Sequence, residues 1–280
     1  MKVPKRKFKR LKQATIAYRE FGSKEGYPIF CLPPWPASSY MYAPLAENMD
    51  KKYKLIAMEL PGWGGESELK KGTIEIDTYL DLISSFIKSF NIKEYVLLGC
   101  SYGGVLVQGL TQDGLNPKAV ILISTSNGGF HLFENMRYKP VIKGAGAMRR
   151  AMRDDELFKK AMIYPRKVLV MLRQDRKSLD FADEVLEDMG EFSVHDALKS
   201  VYSLQGRSFL SKKLKGTNAL LIRGSKDPPF VKQGMKDISE YMKSKVHIIP
   251  NVDHYHFALS PKPSADLIKE FLEKVLGPVN

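Results

Sequence analysis

Short apolar runs alternate with helical patterns through the first 126 residues, and that order admits few folds. The runs Thr15–Arg19, Ile29–Leu32, Leu55–Leu60, Tyr95–Gly99 and Ala119–Ile123 read as strands. Between the third and fourth lies Ile76–Phe90, where Tyr79, Ile83, Phe86 and Phe90 recur at helical spacing and make one apolar stripe. Strands separated by helices of this length imply a mostly parallel sheet with crossover helices, an α/β fold. A hydrophobic content of 44% against 27% charged residues supplies the core that such a sheet needs.

After Ser126 the alternation stops. Asn127-Gly128-Gly129 is a turn signal, and the stretch beyond it reads as charge- and Met-rich helices over Asn135–Met152, Asp155–Met162, Val168–Arg173, Asp180–Met189 and Val194–Leu204. Strand-and-helix order resumes with the strand Ala219–Ile222, a helix near Lys232–Lys243, the strand Val246–Ile249 and a last helix over Ser264–Val275. The expected organisation is a sheet-forming core in two parts, residues 1–127 and 209–280, with an all-helical insertion at 128–208.

The most informative local feature is Gly99-Cys100-Ser101-Tyr102-Gly103-Gly104, placed between the run Tyr95-Val-Leu-Leu98 and the apolar Val105–Leu110. A serine between glycines at a strand-to-helix turn suits a nucleophile. The turn is so tight that its neighbours must lack side chains, and it holds the hydroxyl at the carboxyl edge of the sheet. A helix N-terminus there favours developing negative charge. A serine nucleophile needs a base, and the base needs an orienting acid. Asp227 follows the run Ala219–Ile222, although Lys226-Asp227-Pro228-Pro229 is also an ordinary turn sequence. His254 follows the run Val246–Ile249 and competes with His256 two positions on; His254 is the favoured base. His131, His195 and His247 read as surface or core residues, and no His/Cys/carboxylate cluster has metal-ligand spacing.

With these residues in place the chain resembles the α/β-hydrolase fold family, as a serine-nucleophile member with a helical cap. Thr15–Gly22 resembles the family's second strand and turn, Leu60-Pro61-Gly62-Trp63-Gly64-Gly65-Glu66-Ser67 the glycine-rich loop after its fourth strand, and the Asp227 and His254 segments its acid and base loops. The resemblance covers nearly all of the chain except the insertion. It implies Ser101 as nucleophile, Asp227 as orienting acid and His254 as general base. Where the family usually carries His-Gly after its third strand, this chain has Pro33-Pro34, followed by Trp35. The resemblance then implies an oxyanion hole made by the backbone N–H groups of Trp35 and Tyr102, beside a diproline that fixes φ and restricts each preceding residue.

The implied chemistry is acyl transfer to water without metal or organic cofactor, on a small or medium apolar ester. Thioesterase, carbon–carbon bond hydrolase and perhydrolase chemistry, or a non-catalytic ligand receptor on the same fold, are the alternatives. An aspartate at the nucleophile position would have suggested a dehalogenase or epoxide hydrolase. The His-Gly-Gly-Pro-Gly pattern of proline iminopeptidases is absent. Met136, Met148, Met152, Met162 and Met171, with Phe130, Leu132 and Phe133, are expected either to line an apolar acyl pocket or to fasten the cap to the core.

Charge raises one further class. The net charge is +13, and seven of the first twelve residues are basic (Lys2, Lys5, Arg6, Lys7, Lys9, Arg10 and Lys12) with none acidic. Such an arm can bind nucleic acid or anionic lipid, but the expected reading is an edge strand guarded by lysines, and no nucleic-acid partner is expected. The uncharged stretch Tyr95–Gln112 contains four glycines and is not a lipid-facing helix, so no membrane span is expected. The basic start lacks a following apolar segment, and Cys31 and Cys100 are too few for a disulfide framework; both features suggest a cytoplasmic protein. The two cysteines border the Ser101 region and read as small buried hydrophobes, with a redox-sensitive pair as the alternative.

Overall fold

The computed structural model describes residues 3–128, 176–190 and 193–277. Its nine strands form one sheet: β1 (Lys7–Arg10), β2 (Ala14–Gly22), β3 (Tyr27–Leu32), β4 (Tyr53–Met58), β5 (Glu68–Leu69), β6 (Val96–Cys100), β7 (Ala119–Ile123), β8 (Asn218–Gly224) and β9 (Val246–Ile249). Their order is β1-β2-β4-β3-β6-β7-β8-β9, with β5 also paired to β2. From β4 to β9 every pairing is parallel, while β1, β4 and β5 run antiparallel to β2. The expected strands are therefore all present, and the sheet is mostly parallel.

The central strands are buried along their whole length, as β6 and β7 show. Parallel strands covered on both faces need continuous apolar runs instead of alternation. On one face, Leu97, Val120, Leu122 and Leu221 pack with α2 (Ile76–Lys88), α3 (Tyr102–Gln112) and α7 (Pro229–Met242). On the other, Leu98, Cys100, Ile121 and Ile222 pack with α1 (Ala43–Glu47), α8 (His256–Leu259) and α9 (Pro261–Leu276). The expected stripe on α2 is the buried one: Tyr79, Ile83 and Phe86 are all in the core. The helix stops at Lys88, because Ser89 caps it and Asn91 turns at φ 56°. A short helix α6 (Lys212–Lys215) leads into β8.

Within residues 128–208, the span expected to be an insertion, the described residues contain α4 (Arg176–Met189) and α5 (Val194–Tyr202). The helices expected over Asn135–Met152, Asp155–Met162 and Val168–Arg173, and the methionines and aromatics proposed as a pocket lining there, lie outside the described residues.

Within the basic arm, Lys7–Arg10 form the edge strand β1. Lys7 bonds Glu20 at 2.7 Å, and Lys9 lies 4.4 Å from the centre of the Phe90 ring. Arg6 instead enters a part-buried ion cluster that joins distant parts of the chain. Its guanidinium reaches Glu59 at 2.9 Å and Asp188 of α4 at 2.9 Å. Arg19 of β2 pairs with the same two carboxylates, while Ser39 donates to Glu59 at 2.6 Å and Ser38 donates to Asp188. Glu59 has no exposed side-chain surface. Two cations facing two anions, with their remaining oxygens hydrogen-bonded, satisfy what burial would otherwise penalise.

Replacing Arg19 with Met leaves Glu59 and Asp188 short of a partner in a dry site. Arg19→Met is expected to destabilise the fold by about 3–5 kcal/mol and to lower Tm by roughly 10 °C in thermal unfolding.

Candidate active site

Five neighbouring parallel strands, β3, β6, β7, β8 and β9, end at the same edge of the sheet. The loops leaving that edge carry, in the same order, Trp35, Ser101, Ser124, Asp227 and His254. A parallel α/β sheet collects functional loops at this edge because every crossover returns the chain to the opposite one.

Ser101 sits between β6 and α3 with φ 53° and ψ −118°, a backbone conformation that non-glycine residues rarely adopt. Its N–H donates to Ile123 O at 2.9 Å, and its carbonyl accepts from Thr125 Oγ1 at 2.6 Å. The glycines around it are fixed by close approach. A Cβ on Gly99 would lie 2.2 Å from Gly103 O, and one on Gly103 would lie 2.1 Å from Leu32 O. The absence of side chains lets the start of α3 press against the backbone of Leu32 and Pro33, so the segment carrying the Tyr102 N–H adjoins the diproline loop that carries Trp35.

Asp227 and His254 meet. His254 Nδ1 is 2.7 Å from Asp227 Oδ1. Asp227 Oδ2 accepts from Ser124 Oγ at 2.6 Å and from the Gly224 N–H at 2.9 Å. Burial works against the Asp227 charge, but the hydrogen bond and attraction from His254, then the Ser124 and Gly224 donors, hold its pKa below the usual carboxylate range. An ionised carboxylate only accepts, so His254 Nδ1 carries the hydrogen and Nε2 is left as the basic nitrogen.

His256 does not share that position. It is buried in α8, with Nε2 3.2 Å from Ser124 Oγ and Nδ1 2.8 Å from Ser264 Oγ. Burial pulls its pKa down from 6.5 to about 4. Ser124 and Ser264 were missed by the sequence reading. The small polar run Ser124-Thr125-Ser126 at the end of β7 was the available signal for the first, and nothing local marks the second. His247 lies partly buried in β9, His195 falls in α5, and His131 lies outside the described residues.

The helices α4 and α5 reach the same edge. Trp35 Nε1 donates to Ala197 O at 2.7 Å, Tyr102 Oη to Ser200 O at 3.0 Å, and Trp63 Nε1 to Ser200 Oγ at 3.1 Å. The Gly65 N–H donates to Met189 O at 2.6 Å. Cys31 and Cys100 are free and buried, and burial pushes both thiols well above their ordinary pKa, which fits small buried hydrophobes. Among the described residues no group of His, Cys and carboxylates is placed to hold a metal ion, and no helix is long and apolar enough to cross a membrane.

The buried His256 gives the fold a pH dependence. The folded state keeps this imidazole neutral down to about pH 4, whereas an unfolded one takes up its proton near 6.5. The unfolded chain therefore binds more protons between those values, and stability is lost as pH falls through that window, by up to roughly 3 kcal/mol. Tm measured from pH 7 to pH 4.5 is expected to fall, with a shallower slope in His256→Phe.

Comparison with known proteins agrees with this architecture. Residues 27–261 match the family described as alpha/beta hydrolase fold. A pimeloyl-[acyl-carrier protein] methyl ester esterase from Pseudoalteromonas atlantica is 24% identical over 113 residues, which is 40% of this chain and 42% of that protein. A probable serine hydrolase from Drosophila melanogaster is 30% identical over 95 residues, 33% of this chain and 28% of that one. The chain thus matches less than half the length of either relative. The solved structure of an esterase from Exiguobacterium antarcticum superposes with a TM-score of 0.76 at 16% identity, covering 93% of this chain and 96% of the other. By sequence match and by fold, this chain belongs to the alpha/beta hydrolase fold family.

Proposed function

We propose that the protein is a serine esterase that hydrolyses a small or medium apolar ester through an acyl-enzyme. The observation that carries this reading is the 2.7 Å pair between Asp227 and His254, at the sheet edge where Ser101 is held in a strained strand-to-helix turn. In this reading Ser101 Oγ attacks the ester carbonyl, and His254 Nε2 takes the serine proton. The N–H groups of Trp35 and Tyr102 stabilise the oxyanion. The proton passes from His254 to the departing alcohol as the C–O bond breaks, leaving an acyl-Ser101. Water then gives a proton to His254 and attacks the acyl carbon, and Ser101 recovers its proton as the acid leaves. Asp227 keeps the imidazole in the required tautomer and stabilises its transient positive charge.

Residues 128–208 form the cap in this proposal. The bonds from Trp35, Tyr102, Trp63 and Gly65 to α4 and α5 support that role, since each ties that segment to the core on the side of the sheet edge that carries Ser101. The ester chemistry named for the Pseudoalteromonas relative supports the reaction class.

Hydrolysis of p-nitrophenyl esters of increasing acyl length tests the proposal. Wild-type turnover is expected, with a loss on the order of 10⁴-fold or more in Ser101→Ala and of about 10⁴-fold in Asp227→Asn, where the wrong imidazole tautomer is favoured. Equal turnover by wild type and Ser101→Ala would remove Ser101 as the nucleophile. A folded protein inactive on every ester would favour the receptor reading.

A further inference from the structure

Asp227 is held by more than the imidazole it faces. Ser124 Oγ lies 2.6 Å from Asp227 Oδ2, and the ionised carboxylate can only accept, so the single Ser124 proton points at it. Ser124 must then accept from its other neighbour, His256 Nε2 at 3.2 Å, which therefore carries the ring hydrogen. His256 Nδ1 is left bare and accepts from Ser264 Oγ at 2.8 Å. Every hydrogen in the series points the same way, toward Asp227.

We propose that Ser264, His256 and Ser124 form a one-way hydrogen-bond chain that positions the Asp227 carboxylate, and through it the His254 imidazole. The three are positioning residues, and their role rests on the reading of Asp227 and His254 given above. They come from three separate segments: Ser124 follows β7, His256 opens α8 and Ser264 lies in the first turn of α9. Ser124, His256 and Ser264 are all at most 1% exposed, so water does not replace a missing link at no cost. Ser124 also holds φ 45°, a conformation that a serine keeps only when its surroundings impose it. A neutral His256 is what gives the chain a direction, because an imidazolium would donate at both nitrogens. The ionisable groups acting on His256 are Asp227, His254 and Asp253, and Cys100, its thiol kept protonated by burial, faces Asp227.

The chain has a consequence for catalysis. The Ser124 and Gly224 hydrogens place positive dipole ends on the Asp227 oxygen turned away from His254, drawing its charge from the imidazole. Loss of the Ser124 donor concentrates that charge on Oδ1, the oxygen that His254 Nδ1–H faces.

The test uses the full chain in Ser124→Ala, His256→Phe and His256→Gln forms. Two quantities are read: the low-field proton NMR resonance of His254 Nδ1–H, assigned by its loss in His254→Asn, and the acid limb of the pH profile of kcat/KM. Ser124→Ala and His256→Phe are expected to shift the resonance and to move the acid limb upward by about half a pH unit. His256→Gln keeps an N–H donor beside Ser124 and is expected to stay close to wild type. Folded Ser124→Ala with both readouts at their wild-type positions would overturn the proposal, as would His256→Gln behaving like His256→Phe. The resonance is read without substrate, so it still reports on the chain if the esterase reading fails.

Discussion

The close approach of α3 to the loop after β3 is the constraint on which the rest of this site depends. It exists only because Gly103 carries no Cβ, which would lie 2.1 Å from Leu32 O, while a bare Gly99 lets the start of α3 fold back over β6, where a Cβ would lie 2.2 Å from Gly103 O. Such collisions with rigid backbone cannot be relieved by a rotamer change, so the turn accepts only glycine there. Given that approach, Ser101 is held in its unusual backbone conformation and is anchored by the Ile123 carbonyl of the next strand and the Thr125 hydroxyl just past it. The local strain is balanced by the buried sheet around it, where β6 and β7 are solvent-excluded at every residue.

A second set of forces works across the chain. Arg6, Arg19, Glu59 and Asp188 are far apart in sequence yet share one cluster that joins the N-terminal edge strand, the sheet and α4. Ser38 and Ser39 attach the loop that begins at Pro33 to the same carboxylates. Trp35 is tied on its other side to α5. The diproline thus sits in a loop fastened at several points, and this limits how far that loop can move relative to α3. Part of the basic arm is consumed here and in sheet pairing, which is why its composition resembles a polyanion-binding tail while its structure is an edge strand.

Much of the core was legible because burial on two faces imposes continuous apolar runs, which chance rarely spaces so regularly. β3, β4, β6, β7 and β8 follow from that, while the α2 stripe follows from helical spacing. β5 was not legible, because two residues carry no periodicity, and β1 was visible only as a lysine-rich edge. The Ser101 turn could be read because its requirement for glycine is local. The Asp227–His254 pair was readable only through the positions of both residues just past strands. Ser124 and Ser264 could not be read, since neither type nor spacing distinguishes a buried serine that orients a carboxylate from one that caps a helix.

The sequence by itself determined which segments of the core are strands, and that Ser101 occupies a turn too tight for side chains. Those properties arise from periodicity and steric exclusion, both of which act over a few residues. Only the tertiary structure decided that His254, not His256, faces Asp227, that His256 lies behind it against Ser124 and Ser264, and that Arg6 and Arg19 share two carboxylates. Those arrangements depend on which oxygen each buried donor can reach once the sheet has closed, and that is settled by packing across the chain.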